Sequence, residues 1–93
     1  MNSQILITDL ENIISEKIFI KIEKWNLYLG DAGLARTLAL ECISNLEKGS
    51  REAARLSLDT IKVKIGDGNK TILLSHMVTG SQLRDLEEIL DSL

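Results

Sequence analysis

The sequence predicts an α+β domain with an N-terminal helical hairpin, a short helix, a two-stranded β-hairpin and a C-terminal helix. Apolar residues recur in steps of three and four through most of the chain, as on the buried face of a helix. At 61–65 apolar and basic residues alternate strictly, and a glycine-rich turn follows, as in a β-hairpin. No proline, linker or repeat divides the 93 residues, so we predict a single small domain over 1–93.

The first segment, 4–29, is interpreted as one helix, because apolar residues continue at helical spacing as far as Trp25 and Leu29. Gly30 would then follow its C-terminus. Such a helix would be about 38 Å long, which is long for a domain of this size. The alternatives are a break in the helix near 15–17 or a short strand at 18–22, where β-branched residues alternate with others. The continuing apolar stripe favours the helix.

The second helix is expected to begin after Asp31 as its N-cap and to stop at Gly49. Cys42 lies on its apolar face, where a cysteine acts as a small hydrophobic residue. Ser50 is expected to cap a short third helix over 51–58.

The β-hairpin is predicted from two apolar runs, 61–65 and 71–74, joined by the turn signal at 66–69. A two-stranded hairpin is marginally stable alone, so its apolar face must pack on the helices. Ser81 is expected to cap the final helix. The buried stripe of that helix would consist of Leu83, Leu86, Ile89, Leu90 and Leu93.

Charge and composition exclude several functional classes. The net charge of −3 argues against a general nucleic-acid binder. The one cysteine permits no internal disulfide or cysteine-based zinc cluster and indicates a reducing compartment. We therefore expect no metal and no cofactor. The chain shows no secretory signal and no apolar run of about 20 residues, so a cytoplasmic location is expected.

Catalysis has one candidate, His76, which lies in a connector between Ser75 and Met77. A nucleophile needs a base that is itself oriented by a third group, and the spacing shows no such set. We therefore assign no catalytic residue and expect that the protein is not an enzyme. A small enzyme or ligand-binding pocket around His76 is kept as an alternative.

The hairpin carries a group of basic residues. If Ile61 and Val63 are buried, Lys62 and Lys64 must share the opposite strand face, with Lys70 nearby. These lysines either face an anionic partner or protect an exposed strand from pairing, and the second interpretation is favoured. The acidic C-terminal helix carries the opposite sign, which leads to the hypothesis that the chain self-associates as a homodimer.

Trp25 and Tyr28 are the candidate anchors of an interface. If the segment is helical, their i,i+3 spacing makes them neighbours on its surface. Both residue types are enriched at interface hot spots, because each combines an apolar body with a polar group. Core packing is the favoured alternative for Trp25, because it continues the apolar stripe.

The stretch 18–32 contains Lys-Trp-Asn-Leu-Tyr-Leu-Gly-Asp-Ala and resembles a family of small cyanobacterial proteins of unknown function. That family has a Lys-Trp-x-Leu-Tyr-Leu-x-Asp-Ala core, a hairpin like 61–68 and a leucine-rich acidic helix at the end. Relatives in the family are described as thylakoid-associated proteins. The resemblance implies peripheral association with photosynthetic membranes and supplies no catalytic residues.

These observations together predict a non-enzymatic binding or assembly module with an unidentified protein partner, at the cytoplasmic face of the thylakoid membrane. Trp25 and Tyr28 would anchor the interface, and Lys62, Lys64 and Lys70 would orient it. The main alternative is direct binding of anionic lipid by the basic hairpin. Nucleic acid is the least favoured partner.

Overall fold

The computed structural model describes residues 3–22, 25–65 and 70–93, without the side chains of residues 3–5, 22, 25 and 65. The first half contains α1 (Ser3–Lys17), β1 (Phe19–Ile22), β2 (Trp25–Tyr28), α2 (Leu29–Ala32) and α3 (Ala35–Asn45). The second half contains α4 (Ser50–Thr60), β3 (Lys62–Ile65), β4 (Lys70–Leu73) and α5 (Gly80–Asp91). Two 3-10 turns, Leu46–Lys48 and Leu74–His76, follow α3 and β4. This arrangement confirms the α+β class.

The helices pack in sequence around one core: α1 lies on α3, α3 on α4, and α4 on α5. Their apolar stripes supply most of the buried side chains, as the helical spacing of these residues predicts. Fully or almost fully buried examples are Leu10, Ile14, Leu38, Cys42, Leu86 and Leu90.

The prediction of one helix over 4–29 is wrong, and the alternative with a strand at 18–22 is correct. Helix α1 ends at Lys17, and β1 and β2 form an antiparallel hairpin in which Ile20 pairs with Leu27. Ile20 is 1% exposed, so the strand buries a residue that does not belong to the helical stripe through Ile18 and Leu29. Alternating β-branched residues favour the extended backbone here.

The outer edge of β1 is closed by the C-terminal part of the chain. The backbone N–H of Phe19 donates to Oε1 of Gln82 at 2.9 Å, and that of Lys21 donates to the carbonyl of Met77 at 3.1 Å. Gln82 is 6% exposed and lies in the first turn of α5. These two bonds satisfy strand-edge donors that would otherwise be open to another chain, and they fix α5 against the first hairpin.

The predicted start of the second helix is also wrong. Asp31 lies inside α2, which is a single turn, and Gly33 ends that turn with φ of 74°. Glycine adopts this left-handed conformation without the steric cost of a Cβ. The longer helix, α3, therefore begins only at Ala35.

Gly30 does not follow the end of a helix but lies within α2, against Ser15 of α1. A Cβ at Gly30 would lie 2.8 Å from the Ser15 Cβ and 3.2 Å from the Ser15 Cα. The absence of a side chain at residue 30 thus allows α2 to approach the C-terminal half of α1.

Replacing Gly30 with alanine is expected to lower the free energy of unfolding by about 1–3 kcal/mol, the usual cost of overpacking. The helix propensity of alanine opposes this by only about 1 kcal/mol, and the Ser15 Cα belongs to the backbone and cannot move away. Gly80→Ala is the matched control, since a Cβ there meets nothing within 4 Å. Urea denaturation should show no loss of unfolding free energy for Gly80→Ala. Equal losses in Gly80→Ala and Gly30→Ala would refute the steric explanation.

The later elements match their predictions apart from the caps and Leu93, which lies beyond the end of α5 and is 46% exposed rather than buried. Helix α4 contains the predicted 51–58, but its N-cap is Gly49 rather than Ser50. The N-cap of α5 is Thr79 rather than Ser81, and Thr79 Oγ1 accepts from the Gln82 N–H at 3.2 Å.

The hairpin of β3 and β4 is confirmed, with Val63 paired to Ile72 and both packed against the core. Its predicted turn at 66–69 lies outside the described residues. In the described part of the chain, no helix combines the length and apolar character needed to cross a bilayer.

Candidate functional site

The main candidate site is a groove of about 460 Å³ between the end of α1, the end of β2 and one side of α5. We refer to it as the Tyr28 groove. Its lining includes Glu16, Lys17, Tyr28, Asp85, Glu88 and Ile89. Three carboxylates, one ammonium group, one aromatic ring and one apolar side chain therefore share an open surface.

Contacts described above place these three elements together. The close approach of Gly30 to Ser15 brings the end of β2 beside α1. The bond from Phe19 to Gln82 holds α5 against the hairpin. Gln82 Nε2 also donates to Asp85 Oδ2 at 3.3 Å, which connects the first turn of α5 to a carboxylate of the groove. The groove is therefore built by tertiary packing that brings α5 against the ends of α1 and β2.

Tyr28 is the large aromatic side chain of the Tyr28 groove, and 43% of its surface is exposed. Phe19, its cross-strand partner, packs against it edge-to-face with ring centroids 5.5 Å apart. Such aromatic pairs contribute roughly 0.5–1.5 kcal/mol beyond the area they bury. Phe19 thus supports the Tyr28 ring from one side while the other side remains accessible, as at a contact surface.

The groove is predominantly acidic. Glu16, Asp85 and Glu88 are exposed, and Lys17 is the one basic residue among the lining residues. In the described part of the chain, the ion pairs are Arg36 with Glu11 at 3.1 Å and Arg55 with Glu52 at 2.9 Å. Neither involves a lining residue of the groove. The local charge therefore favours a cationic ligand.

The three predicted lysines do not form one surface. Lys62 pairs with Leu73 and Lys64 with Thr71, whereas Lys70 pairs with Ile65. Because cross-strand partners share a face and successive residues alternate, Lys62 and Lys64 lie on one face and Lys70 on the opposite one. All three are exposed. We refer to Lys62, Lys64 and Thr71 as the lysine face.

Trp25 and Tyr28 are both in β2, so their expected adjacency on a helix surface is wrong. Positions three apart on a strand fall on opposite faces, and the backbone of Trp25 pairs with Ile22 rather than with Phe19. The side chain of Trp25 lies outside the described part of the structure. Its predicted role as an anchor stays a prediction, and so does that of Tyr28, whose side chain the structure describes as exposed.

His76 is exposed at the end of the 3-10 turn Leu74–His76. A shallow cleft of about 240 Å³ nearby is lined by Ser75 and Arg55 among others, but not by His76. Among the described residues, Ser75 has a buried hydroxyl without a hydrogen-bond partner. No side chain in this lining forms a nucleophile–base pair with His76, so the geometry gives no support to a pocket centred on this histidine.

Cys42 is fully buried between α3 and α4, as its place on the apolar face predicts. Burial raises the pKa of the Cys42 thiol to about 11, while a hydrogen bond with the Ser57 side chain acts in the opposite direction. Because the thiolate is the reactive form, the native thiol is inert at neutral pH. Cys42 is thus part of the core, not of the site.

The thiol should react with Ellman's reagent at pH 8 at least about 100-fold more slowly in the native protein than in urea. A pKa near 11 leaves about a thousandth of the thiol ionised at this pH, against about a quarter for a free cysteine. Comparable rates in the native and unfolded states would contradict the buried position. The matching control is a free thiol, such as glutathione, in both buffers.

Sequence reasoning found Tyr28 and the acidic character of α5 but did not connect them. It missed Glu16 and the positioning role of Gln82 altogether. The local signal for a strand after α1 was the alternation of β-branched residues at 18–22, and the helical spacing of the apolar residues outweighed it. In the described part of the chain, no group of three His, Cys, Asp or Glu side chains is arranged to hold a metal ion.

The fold and the groove define a small, helix-rich α+β domain with an acidic aromatic surface cleft. The chain belongs to the DUF3181 family, described as proteins of unknown function, whose sequence model matches residues 7–93. Comparison with curated proteins and with solved structures found no significant match.

Proposed function

We propose that this protein is a non-enzymatic binding module that holds a basic segment of another polypeptide in the Tyr28 groove. The observation that carries the proposal is the convergence of three exposed carboxylates around a half-exposed aromatic ring. Neither the chemistry of the lining nor its open shape favours a small neutral substrate.

The groove fits the side chain of lysine or arginine. Asp85 and Glu88 would accept charge-assisted hydrogen bonds, and the face of Tyr28 would attract the cation. Ile89 would contact the aliphatic stem of the same side chain. Each exposed contact contributes at most about 1 kcal/mol, so specific binding needs several basic residues acting together.

The module acts at the cytoplasmic face of a cyanobacterial thylakoid membrane and is attached there peripherally through its partner. This part of the proposal is supported by the resemblance of residues 18–32 to cyanobacterial proteins described as thylakoid-associated. The lysine face would orient the module toward the anionic membrane surface.

Direct binding of anionic lipid is the second candidate, supported by the exposed lysine face. A basic residue near an anionic surface contributes about 1 kcal/mol, so Lys62 and Lys64 together give about 2 kcal/mol, or a roughly 30-fold enrichment. Lys70 lies on the opposite strand face and cannot add to the same flat contact. This supports a protein partner as the main attachment.

The test is sedimentation of the purified protein with isolated cyanobacterial thylakoid membranes, either untreated or stripped of exposed protein by protease. Glu16→Lys/Glu88→Lys reverses the groove charge, and Glu47→Lys/Asp59→Lys makes the same change at exposed positions elsewhere. We expect the wild type and the control to bind untreated membranes, and the groove variant to bind at least tenfold less. Protease treatment should abolish binding.

Equal binding by the groove variant and the wild type would overturn the proposal. Binding that survives protease treatment, occurs on protein-free vesicles of anionic lipid and is lost in Lys62→Glu/Lys64→Glu would establish the lipid candidate instead.

A further inference from the structure

We infer that, away from the membrane, the basic segment held by the Tyr28 groove is the lysine face of a second copy of this chain. This inference rests on the proposed function: the second copy occupies the same groove, and it leaves the groove and frees the lysine face when the membrane-bound partner binds. In the resulting dimer, β3 of each chain lies along α5 of the other.

Two surfaces of opposite sign are uncompensated within the described part of the chain. Lys62 and Lys64 are exposed and belong to neither of the ion pairs that the described residues form. The same holds for Glu16 and Glu88 in the groove. Asp85 accepts a hydrogen bond from neutral Gln82 but meets no cation there. A second copy brings these charges together.

The distance between the two lysines of the lysine face is similar to the distance between two carboxylates of the groove. Lys62 and Lys64 are two residues apart on one strand face, which separates them by about 6.6 Å. Asp85 and Glu88 are three residues apart on α5, where side chains on neighbouring turns lie about 5–6 Å apart at Cβ. A strand laid along the helix can therefore pair both lysines with both carboxylates at once.

The hairpin also presents its lysine face outward. Its opposite face is held against the core through Val63 and Ile72. Lys62, Lys64 and the cross-strand Thr71 are all exposed. A partner can therefore contact them without disturbing the packing of the hairpin.

A reciprocal arrangement closes the assembly at two copies. Each chain offers one lysine face and one groove, so a two-fold axis uses both and leaves none free for further growth. Because the contacts are ionic and partly exposed, the dimer should be weak at physiological salt and stronger at low salt.

The test is sedimentation equilibrium across a dilution series at low salt and at about 0.5 M salt, where the Debye length falls to a few ångströms. At low salt the mass should rise from 10.4 kDa toward twice that value. Lys62→Glu/Lys64→Glu and Asp85→Lys/Glu88→Lys should each weaken dimerisation at least about tenfold, since both charge pairs in each of the two hairpin-to-groove contacts become repulsive. Glu47→Lys/Asp59→Lys should dimerise like the wild type.

An equimolar mixture of the two charge-reversed variants should restore the dimer, because the reversed hairpin of one chain then meets the reversed groove of the other. Glu16→Lys/Glu88→Lys serves as a second groove variant that keeps the Gln82–Asp85 hydrogen bond. A chain that is monomeric at all concentrations, or a mixture that does not recover the dimer, would overturn the inference. If such a monomer still bound thylakoid membranes through its groove, the proposed function would stand with another basic partner.

Discussion

Leu38→Ala is expected to lower the free energy of unfolding by about 2–5 kcal/mol. Leu38 is 0% exposed and lies on α3, which is packed between α1 and α4. Helices on both sides prevent the structure from collapsing into the space that the leucine leaves, so the cost includes a cavity as well as lost burial. Small domains have a total stability of about 5–15 kcal/mol, so this one change would remove a large share of it.

Leu40→Ala provides the matched control, since Leu40 is on the same helix and is 43% exposed. The same atoms are removed, but we expect a loss of unfolding free energy of less than about 1 kcal/mol, because Leu40 lies at the surface with much of its area already in solvent. Urea denaturation monitored by circular dichroism measures both values. Similar losses for the two variants would show that α3 does not present the face described here to the core.

Gln82→Leu is expected to lower the free energy of unfolding by about 1–3 kcal/mol. The substitution leaves the backbone N–H of Phe19 without its acceptor in a partly buried position, and the cost is that of an unsatisfied donor. Leucine has a similar volume, so lost packing contributes little. The amide proton of Phe19 should also exchange with solvent much faster than in the wild type.

Asp85→Asn is the control for Gln82→Leu. An asparagine oxygen can still accept from Gln82 Nε2, and the bond to Phe19 is unchanged. We expect a change of less than about 0.5 kcal/mol, as is usual for surface substitutions. If Gln82→Leu changed the free energy of unfolding as little as Asp85→Asn does, and the exchange rate of the Phe19 amide did not change, Gln82 would not be the residue that holds α5 against the first hairpin.

The elements that the sequence predicted correctly have a single strong periodicity. In β3 the alternation at 61–65 fits only a strand, and in α5 the leucine spacing fits only a helix. The N-cap of α5 was misassigned because Ser81 and Thr79 are both residue types that cap helices and lie two residues apart. Thr79 is the N-cap because its Oγ1 accepts a hydrogen bond from the Gln82 N–H, and residue type alone does not reveal this bond.

The first hairpin could not be predicted because residues 18–29 fit both periodicities. What distinguishes the two structures is nonlocal: Gln82 accepts from Phe19 across 63 residues of sequence, and Met77 accepts from Lys21. No window along the chain contains both partners. Tertiary contacts therefore override a local helix pattern in this segment.

The candidate site was predictable in its parts but not in its arrangement. The aromatic residue Tyr28 and the acids of α5 were visible in the sequence. That they line one groove depends on the chain reversal after α1, which the helix interpretation of 4–29 lacked. The same error placed Trp25 beside Tyr28 on a helix surface, whereas positions three apart on a strand fall on opposite faces.

The central claim is that the Tyr28 groove is the docking surface for a basic segment. The most direct test is to record amide chemical shifts across a dilution series at low salt. We predict that resonances of Tyr28 and Glu88 shift together with those of Lys62 and Lys64, with one common midpoint, while Leu40 stays unchanged. An increase in mass accompanied by shifts at Leu40, with the Tyr28 and Glu88 resonances unmoved, would contradict the claim and move the interface to α3.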